Sequence, residues 1–325
     1  MLWSYTMKNT AFYILAVLVI VLCVVGACIT AAPTEESGAD ASTGRTSPSG
    51  GQSGSGESSE NGTSSAEVSR EPYIPPDPSV YPTITDADIG PDEIDSFFDD
   101  SVFVGHSVMM HFKDKYVAYK RGSDSGFLGG AKFHASGSFS YHNNLAPVSA
   151  DSVHPLYQGE KMKIEDAVAA MGAKTVYLSG MALNELALFG AEASVSNLAA
   201  VADAVKAKSP DARIVVLANT YRTRDFNDSR NKLNNAGISE YNNLLLDYCN
   251  EHGFDFVDVA TPLMENGCLA DKFCSDNDKS NSNCLGCHLT TDAYAIWTAV
   301  LRDYARSKQA GVYVNPDSMP LYGQE

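Results

Sequence analysis

The stretch SVFVGHSVMM, Ser101 to Met110, changes character in mid-course. Its first five residues are a near-continuous apolar run, the way a strand buried on both faces of a parallel sheet reads. A Gly-His-Ser corner follows, and after it a pattern that opens a helix. Ser107 therefore stands at a strand-to-helix turn, where its hydroxyl could point up out of the sheet while its own N–H sits at a helix N-terminus. Taken alone, a serine in this place is most simply a helix N-cap.

Working outward, the same kind of run recurs in TVYLSG (Thr175 to Gly180), RIVVLAN (Arg213 to Asn219) and FDFVDVA (Phe254 to Ala260), with a further strand expected around Lys132 to Ala135. Helical patterns lie between or after them, at Ile164 to Met171, Glu192 to Lys208, Gly237 to His252 and Thr291 to Ser307. Gly172, Ser209-Pro210-Asp211 and Gly253 stand where these helices should stop. Strand and helix in alternation imply right-handed crossovers, and the fold class read from them is α/β: a three-layer α/β/α sandwich with a mostly parallel, flavodoxin-like sheet. Such sheets bind ligands at the carboxyl ends of their strands. The residues to read are thus Gly105-His106-Ser107, Asn184-Glu185 and Asn219-Thr220-Tyr221-Arg222.

The chain of 325 residues is 44% hydrophobic, yet its first part cannot belong to this core. Lys8, the apolar run Ala11 to Val25 and the small residues Gly26-Ala27 before Cys28 fit an export signal over residues 1–28. Val25-Gly26-Ala27-Cys28 resembles a bacterial lipobox, with Cys28 as the lipidated residue. Residues 29–72 are rich in Ser, Gly, Thr and Glu and lack any apolar period, so they read as a disordered tether. As a flexible coil it would span on the order of 35 to 40 Å. One folded domain is expected over residues 73–325, working outside the membrane and held to it only by a lipid. A net charge of −17 with no basic cluster argues against a nucleic-acid partner.

Four blocks in order resemble the SGNH (GDSL-like) hydrolase family, in its tethered cell-envelope branch, from roughly Ile94 to Ala305. They are FFDDSVFVGHSV, FHASGSFSYHNNL, TVYLSGMALNEL and CHLTTDAYAIW. The resemblance implies Ser107 as nucleophile and His288 as its base. It assigns the oxyanion to the N–H of Ser107, the N–H of Gly137 and the side-chain amide of Asn184. A glycine at 137 would suit close backbone approach and positive φ. Tyr294 and Trp297 would open the final helix. Three residues before the histidine, where the family carries an aspartate, stands Leu285. A backbone carbonyl, Asp276 or Asp278 are the open alternatives for the group that orients the imidazole. His106 reads as a structural substitute near the site, as a second titrating group, or as a mark of lost activity.

Cys268, Cys274, Cys284 and Cys287 fall together in a Gly/Asn/Ser/Asp-rich insertion. Outside the membrane an even cluster suggests two disulfides, which could stiffen the loop carrying His288. Zinc is the other reading, and it would compete with catalysis by taking the lone pair of His288. Cys249 reads as a small core residue. His106, Glu185, Tyr141 and Arg222 are candidates for the pocket wall.

The function expected is that of a serine esterase or deacylase with no metal and no cofactor, acting on a small ester or an acylated, O-acetylated glycan of the cell envelope. An O-acyltransferase using the same acyl-enzyme, a degenerate domain that binds a wall glycan or a protein, and a zinc-stabilised interaction domain are the competing readings.

Overall fold

Alternation within each apolar run decides which layer a side chain joins. In the computed structural model of the protein, residues 90–228, 230–320 and 322 are described. The export segment, the tether and Cys28 lie outside them. Five strands pair in parallel: β1 (Ser101–Gly105), β2 (Lys132–Ala135), β3 (Thr175–Ser179), β4 (Arg213–Leu217) and β5 (Asp255–Val257), in the order β2-β1-β3-β4-β5. That is the flavodoxin-like order.

Along β1, Val102 and Val104 join one core with Val176, Leu178 and Val216, whereas Phe103 joins the other with Tyr177, Val215 and Leu217. Period-two side chains thus feed two separate helical layers. The first core is closed by α3 (Ile164–Met171), α5 (Ala191–Lys208) and α6 (Asn235–His252), the second by the helix that starts with α1 (Ser107–His111) and by α7 (Thr291–Gln309). Phe103 stacks on Tyr177 with ring centroids 4.3 Å apart, and each such buried side chain contributes about 1.5–3 kcal/mol. The edge strand β2 is only partly covered, which is why its run is the weakest of the five in sequence.

Differences from the sequence reading lie at helix ends and in short helices. α6 opens at Asn235, before Gly237, because the Asn234 side chain accepts from the Gly237 N–H. Helix α1 continues through a π-helical stretch, Phe112–Val117, to Ser123. Two helices absent from the periodic patterns are α2 (Tyr141–Leu145) and α4 (Ala182–Phe189). Gly190 at φ 81° separates α4 from α5. Among the described residues no helix is long and apolar enough to cross a membrane.

Candidate active site

Gly105 closes β1 where an added Cβ would meet Met109 Cβ and Ser179 Oγ, each at 2.5 Å. Only glycine lets the chain turn so close to its neighbours, and the turn delivers Ser107 at the carboxyl edge of the sheet. His106 occupies the N-cap position of α1. Its Nδ1 accepts from the Val108 N–H at 3.2 Å, replacing the usual Ser or Asp oxygen. The same nitrogen lies 3.5 Å from Ser107 Oγ.

The partner of Ser107 arrives from 181 residues away. His288 Nε2 lies 2.9 Å from Ser107 Oγ, and His288 Nδ1 lies 2.7 Å from Asp276 Oδ2. Asp276 and His288 sit on one loop, the cysteine-bearing insertion before α7. The Asp276 carboxylate also accepts from the backbone N–H groups of Leu285, Cys287 and His288 and from the Cys274 thiol. Burial pushes this carboxyl up, but the hydrogen bonds from His288 and from the backbone outweigh it and hold Asp276 well below the usual carboxylate range. A charged Asp276 fixes the proton of His288 on Nδ1 and leaves the Nε2 lone pair facing the serine hydroxyl. The orienting acid is therefore Asp276, nine positions ahead of Leu285. Leu285 contributes only main-chain groups, its N–H to Asp276 and its carbonyl to Arg222.

The loops after β2 and β3 are tied across the edge of the sheet. The Asn184 amide, in the first turn of α4, donates to the Phe139 carbonyl at 2.9 Å, and the Ser136 N–H donates to the Gly105 carbonyl. One amide hydrogen of Asn184 remains for another acceptor. A Cβ on Gly137 would meet open space. The left-handed conformation expected at Gly137 is found instead at Ser138, with φ 59°. The glycine is thus not required by its φ.

Three pocket assignments need correction. Tyr141 is fully buried and donates to the Ser179 carbonyl, so it braces the core under the site. Glu185, equally buried, accepts from the His142 N–H and the Asn197 amide. Arg222 spends its guanidinium on the carbonyls of Leu285 and Leu233, supporting the loop of His288 from behind. The disulfide expectation is also corrected. Cys268, Cys274, Cys284 and Cys287 are free thiols, and of the three alternatives for orienting the imidazole it is the Asp276 carboxylate that does so. Cys249 is buried in the first core.

His111, one helical turn beyond Ser107, was not anticipated. Its ring packs on that of His288 with centroids 4.9 Å apart, and its buried Nδ1 has no hydrogen-bond partner. The spacing of four from Ser107 was the available signal. Burial, followed by Lys115 and His288, pushes His111 down to about 4. Burial likewise takes His106 to about 3 and His134 to about 4. These folded values lie below the unfolded value near 6.5, so the unfolded chain binds more protons on acidification. The stability they contribute is present above about pH 6.5 and is lost as the pH falls toward about 4. The urea midpoint should thus drop between pH 7.5 and pH 4.5, and His134→Gln should flatten that dependence. An unchanged midpoint would overturn the assignment of neutral, buried imidazoles.

Asp276, Cys287 and His288 also each offer one donor atom within 4.8 Å of the others. As they stand, Ser107, His288 and Asp276 form a proton path: Nε2 can take the hydroxyl proton as Oγ attacks an electrophilic carbon, and Asp276 balances the imidazolium.

Residues 136–296 match the GDSL-like Lipase/Acylhydrolase family. The match begins beyond Ser107, so it covers His288, Asn184 and Gly137 but not this serine. No curated protein matches the chain. Among solved structures, the chain is similar to a GDSL-like lipase from Bacteroides thetaiotaomicron, with 13% identity, 69% of this chain and 94% of that one covered, and a TM-score of 0.45. An extracellular lipase from Streptomyces rimosus is 18% identical over 62% of this chain and 98% of its own, with a TM-score of 0.42. The periplasmic domain of a Salmonella Paratyphi A lipopolysaccharide acetyltransferase is 14% identical, covering 63% and 83%, with a TM-score of 0.40.

Proposed function

Given that this chain belongs to the GDSL-like lipase/acylhydrolase family, we propose that it is an extracytoplasmic serine esterase that removes acyl groups, O-acetyl foremost, from a glycan or other cell-envelope substrate. The observation that carries the reading is the unbroken line Ser107 Oγ, His288 Nε2, His288 Nδ1, Asp276 Oδ2, at 2.9 and 2.7 Å. A domain kept only for binding has no need of a half-buried carboxylate that fixes the tautomer of a histidine beside a serine. The export signal and lipobox over residues 1–28, followed by the tether of residues 29–72, support location at the outer face of a membrane.

In the first step Ser107 Oγ attacks the ester carbonyl while its proton moves to His288 Nε2. The tetrahedral oxyanion receives hydrogen bonds from the N–H groups of Ser107 and Gly137 and from the Asn184 amide. His288 then gives its proton to the departing sugar oxygen, leaving an acyl-serine. Water attacks that acyl-serine, its proton passes through His288, and the carboxylic acid leaves.

A fluorophosphonate probe tests the reading directly. Labelling of the wild type at Ser107, located by peptide mass and lost in Ser107→Ala, is the expected result. The absence of any adduct at high probe concentration would overturn it. Removing one oxyanion donor should lower kcat about 10²- to 10³-fold in Asn184→Ala with aryl acetates, with KM nearly unchanged. The single lost bond to Phe139 should cost only about 1 kcal/mol of stability. A loss of activity matched by unfolding would instead make Asn184 a purely structural tie.

A further inference from the structure

We propose that Asp276, Cys287 and His288 form a binding site for a thiophilic divalent cation, zinc foremost, and that filling it switches the serine off. The three residues present a carboxylate oxygen, a thiol sulfur and an imidazole nitrogen within 4.8 Å of one another, partly to fully buried. The Cys274 thiol donates to the same carboxylate, with Sγ 3.2 Å from Asp276 Oδ1. Tetrahedral zinc takes sulfur at about 2.3 Å and nitrogen or oxygen at about 2.0–2.2 Å, which puts its donors roughly 3.2–3.8 Å apart. Filling the site would require the three donors to settle from their present separations, all within 4.8 Å, to that spacing. Mixed sulfur, nitrogen and oxygen donors suit zinc or cadmium, whereas magnesium and calcium select oxygen alone.

The switch follows from the tautomer. In the resting site the proton lies on Nδ1 and the lone pair on Nε2. A cation on Nδ1 displaces that proton, the neutral ring holds its hydrogen on Nε2, and Nε2 becomes a donor toward Ser107. A cation on Nε2 takes the lone pair itself. Either way no base remains for the hydroxyl. Cys287 binds as thiolate and passes its proton to solvent. Metal binding needs only the loop, whereas the inhibition rests on the esterase reading above.

The test uses the full chain, kept reduced, with zinc and cadmium salts as the probes. Zinc should slow fluorophosphonate labelling of Ser107 and aryl acetate hydrolysis, and a chelator should restore both. Cadmium should raise a thiolate charge-transfer band in the ultraviolet. Cys287→Ser, measured against its own metal-free rate, should lose that band and need about tenfold or more zinc for the same inhibition. Cys249→Ser should keep both responses. Equal zinc sensitivity in wild type and Cys287→Ser, or no cadmium band at a hundredfold excess, overturns the site. Should Cys287→Ser fail to fold, X-ray absorption of the zinc-loaded wild type decides. A sulfur shell at about 2.3 Å with lighter ligands near 2.0 Å supports the proposal, and a shell of nitrogen and oxygen alone overturns it. A wild type that binds cadmium through thiolate but is never labelled would defeat the esterase reading and leave the metal site standing.

Discussion

Asp276→Asn lowers kcat by about 10⁴-fold with the domain still folded. The substitution keeps the size of the side chain and one acceptor oxygen, enough for the backbone N–H groups of Cys287 and His288 that Oδ1 now receives. It also turns an amide N–H₂ toward His288 Nδ1. That nitrogen must then accept, the imidazole proton moves to Nε2, and the base faces Ser107 with a hydrogen where the lone pair was. Tenfold in rate is about 1.4 kcal/mol of barrier, so the expected loss is about 5.4 kcal/mol of transition-state stabilisation. Turnover of an aryl acetate and the rate of Ser107 labelling should fall together. A variant within tenfold of wild type would show that some other group orients His288.

The second large effect is on stability and lies at the opposite edge of the sheet. Asp95 receives Arg302 Nε at 2.8 Å and Nη2 at 2.7 Å, and both side chains are buried. The same carboxylate accepts from the Leu128 and Asp92 N–H groups, and the guanidinium lies over the Phe127 ring. Three segments far apart in sequence thus meet on one ion pair. Asp95→Ala strands a buried guanidinium and should cost about 3–5 kcal/mol in urea unfolding. Asp95→Ala combined with Arg302→Met should cost clearly less than the sum of the singles, since the unpaired charge is then gone. Folded Arg302→Met should keep the wild-type kcat, because the pair stands at the amino ends of the strands. A single mutant within 1 kcal/mol of wild type would contradict the pairing.

How far the site was legible depended on how each residue is held. Ser107, Gly137, Asn184 and His288 each follow a strand or precede a long helix, so the apolar period that locates the element also locates the residue. Asp276 has no such marker. It lies among Asp271, Asp276 and Asp278 in an insertion without period, and only the folded loop shows that its carboxylate turns inward while Asp278 caps Ser280. The pocket assignments failed for a related reason. Tyr141, Glu185 and Arg222 sit at the right strand ends, but position along a chain does not tell whether a polar group faces a cavity or closes an account inside the protein. The four cysteines misled because their even number fits cross-links as well as ligands, and spacing cannot choose. The fold was read more completely, since strands buried on both faces leave an almost unbroken apolar run. The helices α2 and α4 escaped because they are too short to express a period.

The loop from Asp276 to His288 has one more consequence. Its acid and its base are bound to each other through three main-chain N–H groups as well as through the imidazole. These bonds tie them into one unit, set against a serine at the strand-to-helix turn. Lifting that piece away would remove both proton-handling groups in a single event, with no half-built stage between a complete machine and a bare hydroxyl. Acid and base thus stand or fall together, and a ligand that held the loop away from Ser107 would deprive the hydroxyl of both.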